Sequence, residues 1–214
     1  MKKIKLLKKP KKNNSFKWLD RHLNDEYFLK SKKEGFRSRS SYKLLQIDEK
    51  FQFLKKSKLI LDLGCSPGGW LQVAQMNAPK DSMILGLDKL DLKKIDGVSF
   101  LKMDIFDKTA LRELNRFFGN KKIDLILSDM SPNSSGNKSV DHLRIISLVE
   151  KVLEFSKNIL KANGFLVSKI FQGGAQGQLV DEMKKELYEI KYFKPKASRP
   201  ESIETYLVAK KIKK

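Results

Sequence analysis

The sequence predicts an α/β fold built on a mostly parallel sheet of seven strands, one of which is antiparallel. Short apolar runs alternate with amphipathic stretches of helical period, which is typical of strands buried between helices. The first strand of the core leads into a glycine-rich turn, LDLGCSPGGW at 61–70. The last two strands have no helical stretch between them, so they predict an antiparallel partner at the end of the sheet.

The N-terminal part of the chain is predicted to be basic and then helical. Residues 1–15 have few apolar positions and many lysines, so we expect a disordered basic arm. Aromatic and leucine anchors predict a helix over 16–34. Ser40 or Ser41 is placed to cap a second helix that runs through Phe51.

The core is predicted to alternate strand and helix, the order that builds a parallel sheet. The predicted strands are 58–64, 83–88, 98–104, 123–129, 164–171, 191–196 and 204–211. The predicted helices among them are 68–78, 107–119, 140–162 and 177–189. We therefore expect one domain over 16–214, with a helical segment at 16–56 and a Rossmann-like core at 57–214.

The charge indicates a polyanionic partner. The chain has 45 Lys and Arg against 25 Asp and Glu, a net charge of +20, and residues 1–60 hold 19 basic and 6 acidic residues. An uneven basic excess of this kind favours nucleic acid, although composition does not separate RNA from DNA or an acidic membrane face. No apolar run approaches membrane-spanning length, and the single cysteine, Cys65, fits a reducing cytoplasm. His22 and His142 lie far apart without cysteine partners, so we expect no metal.

The turn after the first strand predicts a nucleoside cofactor. Gly64 lets the chain leave the strand sharply, and Gly68, like the glycine after it, lets a ligand approach the backbone. Asp88 and Asp104 end the next two strands, where a carboxylate can accept hydrogen bonds from a ribose diol. Trp70 opens the following helix, where it either packs in the core or lines the cofactor pocket.

Further polar residues indicate a reacting centre. Asp129 follows a buried strand, in SDMSPNSSG, and is either an ordinary turn residue or an active-site carboxylate. Lys169 stands in the apolar strand GFLVSKIF with no acidic residue within ten positions. It is either a lysine that reaches out from the sheet edge or a general base. Lys43 and Glu204 lie in RSRSSYKLL and RPESIETYLVA.

These motifs together resemble the FtsJ/RrmJ family of ribose 2′-O-methyltransferases, most closely its bacterial large-subunit ribosomal RNA branch, RlmE. The fold implied is that of class I S-adenosylmethionine-dependent methyltransferases. The family's K-D-K-E tetrad maps onto Lys43, Asp129, Lys169 and Glu204. Its cofactor contacts map onto Gly68, Trp70, Asp88, Asp104 and Asp129, to which the turn adds Gly64. The resemblance implies methylation of a uridine ribose in the A-loop of 23S rRNA within the 50S subunit, by a cytoplasmic monomer.

Two questions stay open at this level. A lysine acts as a base only if its pKa falls well below its free value; burial and a second cation lower it, whereas Asp129 and Glu204 raise it. The substrate has alternatives: tRNA or an mRNA cap, or no reaction at all in an RNA-binding assembly factor. A DNA methyltransferase would favour an N/D-P-P-Y-like loop, and SDMSP has only the Asp and one Pro. We expect RNA phosphates to contact Arg37, Arg39 and Lys43.

Overall fold

The computed structural model describes residues 23–132, 135–171, 181, 183–185 and 188–212. Helices α1 (Glu26–Glu34) and α2 (Ser41–Phe51) and a 3₁₀ turn (Leu54–Lys56) precede the core. The core contains β1 (Leu59–Leu63), α3 (Gly69–Asn77), β2 (Met83–Asp88), β3 (Ser99–Lys102), α4 (Ala110–Phe117), β4 (Ile123–Ser128), α5 (Lys138–Ile159), β5 (Leu160–Phe171), β6 (Tyr188–Phe193) and β7 (Glu204–Lys211). The predicted arm, 1–15, lies outside the described residues.

The sheet confirms the predicted fold class. Its seven strands follow the order β3-β2-β1-β4-β5-β7-β6. Strands β1 to β5 pair in parallel, and β7 runs antiparallel to both of its neighbours, β5 and β6. The antiparallel strand is therefore inserted one place in from the edge, and β6 forms the edge. This insertion decides which end of β7 meets the carboxyl ends of the parallel strands.

Helices cover both faces of the sheet. One apolar cluster joins α4 and α5 to one face, through residues such as Leu114 and Val152. The other cluster joins α2 and α3 to the opposite face, through residues such as Leu44 and Leu71. Strand β1 is buried on both sides because its residues alternate between the two clusters, as expected for a central parallel strand. None of the helices described is long and apolar enough to cross a membrane.

Several predicted boundaries were wrong at the C-terminal end. Helix α5 ends at Ile159, three residues before the predicted end, because Leu160 already pairs with Ile123 of β4. Strand β6 lies at Tyr188–Phe193 and not at 191–196, since Pro195 accepts a turn hydrogen bond from the amide of Ser198. The predicted helix 177–189 lies mostly outside the described residues; 181 and 183–185 are helical, and its last two residues belong to β6.

Candidate active site

The topology brings the predicted reacting residues to one edge of the sheet. Asp129 directly follows β4, and Lys169 lies near the end of β5, so both belong to the carboxyl edge of the parallel strands. Glu204 begins β7, and because β7 is antiparallel its first residue lies at the same edge. Lys43 stands in the first turn of α2 and approaches from the helix layer.

The four side chains form one connected ionic network. Lys169 Nζ lies 2.8 Å from Asp129 Oδ1 and 3.6 Å from Glu204 Oε2. Lys43 Nζ lies 2.6 Å from Glu204 Oε1. Lys169 Nζ also donates a hydrogen bond of 2.8 Å to the backbone carbonyl of Asp129. Two amines and two carboxylates therefore alternate, which balances their charges inside the protein.

The network is mostly buried, and its charges outweigh the effect of burial. Burial alone opposes ionisation of Asp129, but the charges of Lys169 and Lys43 hold the Asp129 pKa below its usual range. The pKa of Glu204 is lowered for the same reasons. Burial also favours neutral Lys169, yet the charges of Asp129 and Glu204 raise its pKa above 10.5. The balance of these effects in the structure therefore favours the charged form of Lys169.

Two residues of the site were missed by the sequence reasoning. Tyr206 Oη donates a 2.5 Å hydrogen bond to Asp129 Oδ1, and Ser198 Oγ donates a 2.8 Å bond to Glu204 Oε1. Tyr206 is fully buried, and burial together with the charge of Asp129 raises its pKa well above 10. The signal for Tyr206 was its spacing, because residues two apart on a strand share a face. Nothing in the sequence separates Ser198 from an ordinary loop serine.

A cavity of about 440 Å³ adjoins this network. Its lining includes four of the predicted cofactor residues, Gly64, Asp88, Asp104 and Asp129. Its apolar lining includes Leu90, Ile105, Phe106 and Leu148, and the cationic residues Lys89 and Arg144 also line it. The carboxylates can accept hydrogen bonds from the hydroxyl and amino groups of a nucleoside, and the apolar wall can pack against its planar base. The residues present therefore fit S-adenosylmethionine. Asp129 belongs to both the cavity and the ionic network, and it therefore joins the cofactor end to the reacting end.

The aspartate of β2 is held in place by backbone amides. Asp88 Oδ2 accepts a 2.8 Å hydrogen bond from the amide of Ser66, and its Oδ1 accepts a 2.8 Å bond from the amide of Leu90. Asp104 Oδ1 accepts a 2.9 Å bond from the amide of Phe106. Each carboxylate oxygen keeps acceptor capacity for a ligand hydroxyl. Both strand-end carboxylates are thus oriented before a ligand arrives.

An added Cβ at each glycine of the turn would meet side chains of neighbouring segments. At Gly64, where φ is 70°, a Cβ would lie 2.0 Å from Cγ of Met130. At Gly68, where φ is 105°, it would lie 2.9 Å from Ile95. At Gly69 it would lie 2.3 Å from Oγ of Ser38. The approach of a ligand to the backbone at Gly68 and Gly69 stays a prediction.

Trp70 lies in the core rather than at the cavity wall. Its ring packs at 5.7 Å against Tyr206, and its Nε1 donates a 2.9 Å hydrogen bond to the carbonyl of Ser40. Neither Trp70 nor Gly68 is among the residues that line the cavity. Their assignment as cofactor contacts stays a prediction. The buried Cys65 is a small turn residue whose thiol pKa is raised, mainly by burial, which does not favour a nucleophile.

A third carboxylate lies beneath the glycine turn. Asp62 of β1 is 1% exposed, and its Oδ2 has no hydrogen-bond partner among the described residues. Burial, followed by the charges of Asp129 and Asp88, raises its pKa well above 3.8. Burial and the two neighbouring carboxylates therefore favour the neutral form of Asp62, which the sequence reasoning did not single out.

The two arginines predicted to bind RNA are already engaged. Arg37 Nη1 donates to the carbonyl of Lys93 at 2.6 Å, and its Nη2 donates to that of Lys94 at 2.7 Å. Arg39 Nη1 forms a close ion pair with Asp25, and its Nη2 donates to the carbonyl of Ala197 at 2.5 Å. Their contact with RNA stays a prediction. In this structure both guanidinium groups hold protein segments together.

The sheet order, the single antiparallel strand and the nucleoside cavity define a class I methyltransferase. The model of one family, FtsJ-like methyltransferase, matches residues 36–212. The chain therefore belongs to the FtsJ-like methyltransferase family, whose members are enzymes that use S-adenosylmethionine as methyl donor.

Named relatives agree with this membership. The ribosomal RNA large subunit methyltransferase E of Bartonella bacilliformis is 44% identical over 205 residues, which cover 94% of this chain and 85% of the relative. The protein of the same name from Wolbachia sp. subsp. Brugia malayi is 47% identical over 200 residues, covering 94% and 90%. A solved structure from Plasmodium falciparum, assigned by name as a ribosomal RNA methyltransferase, has a TM-score of 0.73 at 33% identity and covers 83% of this chain and 98% of that chain.

Proposed function

We propose that this enzyme methylates the 2′-hydroxyl of a ribose in the RNA of the large ribosomal subunit, with S-adenosylmethionine as donor. The observation that carries the proposal is the network of Lys43, Asp129, Lys169 and Glu204 at the mouth of a nucleoside cavity. A protein that only binds RNA has no physical need for two lysines and two carboxylates buried together at this edge. The relatives' printed names supply the ribosomal substrate.

Methyl transfer to a ribose requires that the 2′-hydroxyl be positioned near the methyl donor and that it lose its proton. S-adenosylmethionine, when bound, supplies a methyl group on a positively charged sulfonium. The chain must hold the ribose 2′-oxygen near the mouth of the cavity and accept its proton. We assign proton acceptance to Lys169 Nζ, the amine that touches Asp129 at 2.8 Å.

The raised pKa of Lys169 requires that its proton be lost before it acts as a base. Asp129 lines the cavity and also supports the ammonium of Lys169. A cationic ligand in the cavity competes for the charge of Asp129 and therefore lowers the pKa of Lys169. Lys43 pairs with Glu204 at 2.6 Å and so offsets part of the Glu204 charge that raises the Lys169 pKa. Arginine cannot take this role because a guanidinium does not release its proton.

The finer assignment follows from the family resemblance. We propose a uridine of the A-loop of 23S rRNA as the target, within the 50S subunit, and a monomeric enzyme in the cytoplasm beside its ribosomal substrate. The net charge of +20 fits a polyanionic partner of this size. The lysine-rich N-terminal residues add to the attraction whatever their conformation.

Transfer of labelled methyl groups tests the proposal. Large subunits that lack the modification would be compared with free ribosomal RNA and tRNA, using the wild-type enzyme and Lys169→Ala. A 2′-O-methyl group protects its phosphodiester from alkaline cleavage, so the labelled residue can be mapped. Label at one A-loop ribose, lost in the variant, supports the proposal. Label on tRNA alone would show that tRNA, and not ribosomal RNA, is the substrate. Cofactor binding without methyl transfer to any RNA would indicate an assembly factor.

A further inference from the structure

A cluster of two arginines and one aspartate lies beside the ionic network. Arg39 Nη1 pairs closely with Asp25 Oδ2, and Arg199 Nε lies 3.7 Å from the same oxygen. The side chain of Asp25 is only 10% exposed. Two guanidinium charges thus share one carboxylate, and the cluster keeps a net positive charge in a partly buried place, where an anion gains more than it would in water.

The cluster has unused hydrogen-bond donors. The Nε atoms of Arg39 and Arg199 are both buried without a hydrogen-bond partner in the described part of the chain. Arg39 commits its other nitrogens to Asp25 and to the carbonyl of Ala197. Arg199 donates no hydrogen bond to any described residue, while 28% of its side chain is exposed. A partly exposed guanidinium that donates no hydrogen bond to the described residues suits a ligand with several acceptor oxygens.

The position of the cluster ties it to the reaction. Ser198 precedes Arg199 in the chain, and its Oγ donates to Glu204 of the ionic network at 2.8 Å. The same segment is fixed to α2, because the amide of Ala197 donates to Gln46 Oε1 at 2.9 Å. Arg199 is therefore held one residue away from a direct contact of the network. A ribose whose 2′-hydroxyl meets Lys169 has a phosphate on either side, within reach of this edge.

We propose that Arg199 binds a backbone phosphate of the RNA strand next to the target ribose, where the phosphate competes with Asp25 for its guanidinium while Asp25 keeps its close pair with Arg39. This inference rests on the proposed function, since that function puts the ribose at the network. A planar guanidinium matches two phosphate oxygens, and its charge releases a counterion on binding. In this proposal Arg39 has a structural role in the cluster, and Arg199 is the residue that contacts the phosphate.

The test is the salt dependence of RNA affinity. The probe is an oligonucleotide that carries the A-loop stem, and its Kd is measured at several salt concentrations. We expect Arg199→Gln to bind roughly fivefold to tenfold more weakly near 0.1 M salt, and its salt slope to be shallower by about one. Arg199→Lys should restore the slope but only part of the affinity. Arg116→Gln is the matched control, because Arg116 is 84% exposed near the end of α4, at the opposite edge of the sheet.

A variant of Asp25 distinguishes phosphate binding by Arg199 from a purely structural role of the cluster. Asp25→Asn keeps a cap for α1, where Asp25 Oδ1 accepts from the amide of Phe28, but removes the charge that competes with phosphate. If Arg199 binds a phosphate, Asp25→Asn should bind RNA more tightly than the wild type, whereas Arg199→Gln should bind it more weakly. Unchanged or weaker binding by Asp25→Asn overturns the inference. Binding of S-adenosylhomocysteine by each variant shows that the domain is folded.

The same samples distinguish this inference from the proposed function. If wild-type enzyme transfers no methyl group to the ribosomal substrate, the proposed function is wrong. If it does transfer and Arg199→Gln binds RNA with the wild-type Kd and salt slope, only the phosphate subsite is wrong. If Arg199→Gln fails to fold, the other two variants still test the phosphate subsite. The salt slope of Arg199→Lys and the sign of the affinity change in Asp25→Asn then give the answer.

Discussion

Replacing Lys169 by methionine removes the proposed base while keeping an unbranched side chain that is one heavy atom shorter. The amine lies 2.8 Å from Asp129 and 3.6 Å from Glu204, and its side chain is 7% exposed. Water therefore has little room to replace it in the same geometry. General-base catalysis contributes about 10²- to 10⁴-fold, so we predict that kcat falls by that factor, equivalent to about 3–5 kcal/mol in the activation barrier.

The same substitution also affects stability, and the two effects must be measured separately. Breaking a buried ion pair costs about 3–5 kcal/mol when one charge is left behind. Here Lys43 and Tyr206 remain near Asp129 and reduce that cost. Single-turnover methyl transfer would be measured well below the melting temperature, with saturating cofactor and RNA. Binding of S-adenosylhomocysteine should change little, because Lys169 does not line the cavity.

A matched control comes from the same strand. Lys161 of β5 forms a close ion pair with Asp124, at the opposite edge of the sheet. Lys161→Met therefore removes the lysine of an ion pair remote from the network, at a side chain that is 45% exposed against 7% for Lys169, and should leave kcat unchanged. The assignment of Lys169 is refuted if Lys169→Met keeps more than about a tenth of the wild-type kcat. Lys169→Arg should be as inactive as Lys169→Met, and an active arginine variant would show that charge alone suffices.

Three further predictions concern neighbouring groups. Tyr206→Phe should lower kcat roughly tenfold, because it removes the 2.5 Å bond to Asp129 while the ring keeps its packing on Trp70; wild-type kcat would refute this. Since the Lys169 pKa lies above 10.5 in the free enzyme, log kcat/KM should rise by about one per pH unit between pH 7 and 9, and a plateau below pH 8 would contradict it. Because the pKa of Asp62 is raised in the folded protein, the folded state keeps a proton that the unfolded state releases. The contribution of Asp62 to the free energy of unfolding therefore falls as pH rises above 3.8. Asp62→Asn should therefore melt higher than wild type at pH 8, by a margin that shrinks towards pH 4; a pH-independent difference would exclude a protonated Asp62.

The reach of sequence reasoning differs between the fold and the site. Strands such as 83–88 and 204–211 were located correctly because short apolar runs bounded by turn residues have few other interpretations. The boundary of α5 was wrong because Asn163 and Gly164 resemble a helix end, whereas the chain enters β5 at Leu160. The pairing of Leu160 with β4 is a tertiary contact that leaves no local pattern.

The sequence by itself determined the alternation of strands and helices, the acidic strand ends and the residue types of the reacting centre. These features are local, since periodicity and turn chemistry depend on neighbours along the chain. Only the tertiary structure decided that antiparallel β7 brings Glu204 to Lys169 and that Asp129 and Glu204 outweigh burial and raise the Lys169 pKa. It also decided that Arg39 donates a hydrogen bond to Ala197, whereas Arg199, among the described residues, makes only an ion pair with Asp25. Each of these outcomes depends on distances between residues remote in sequence, and electrostatic energies follow those distances.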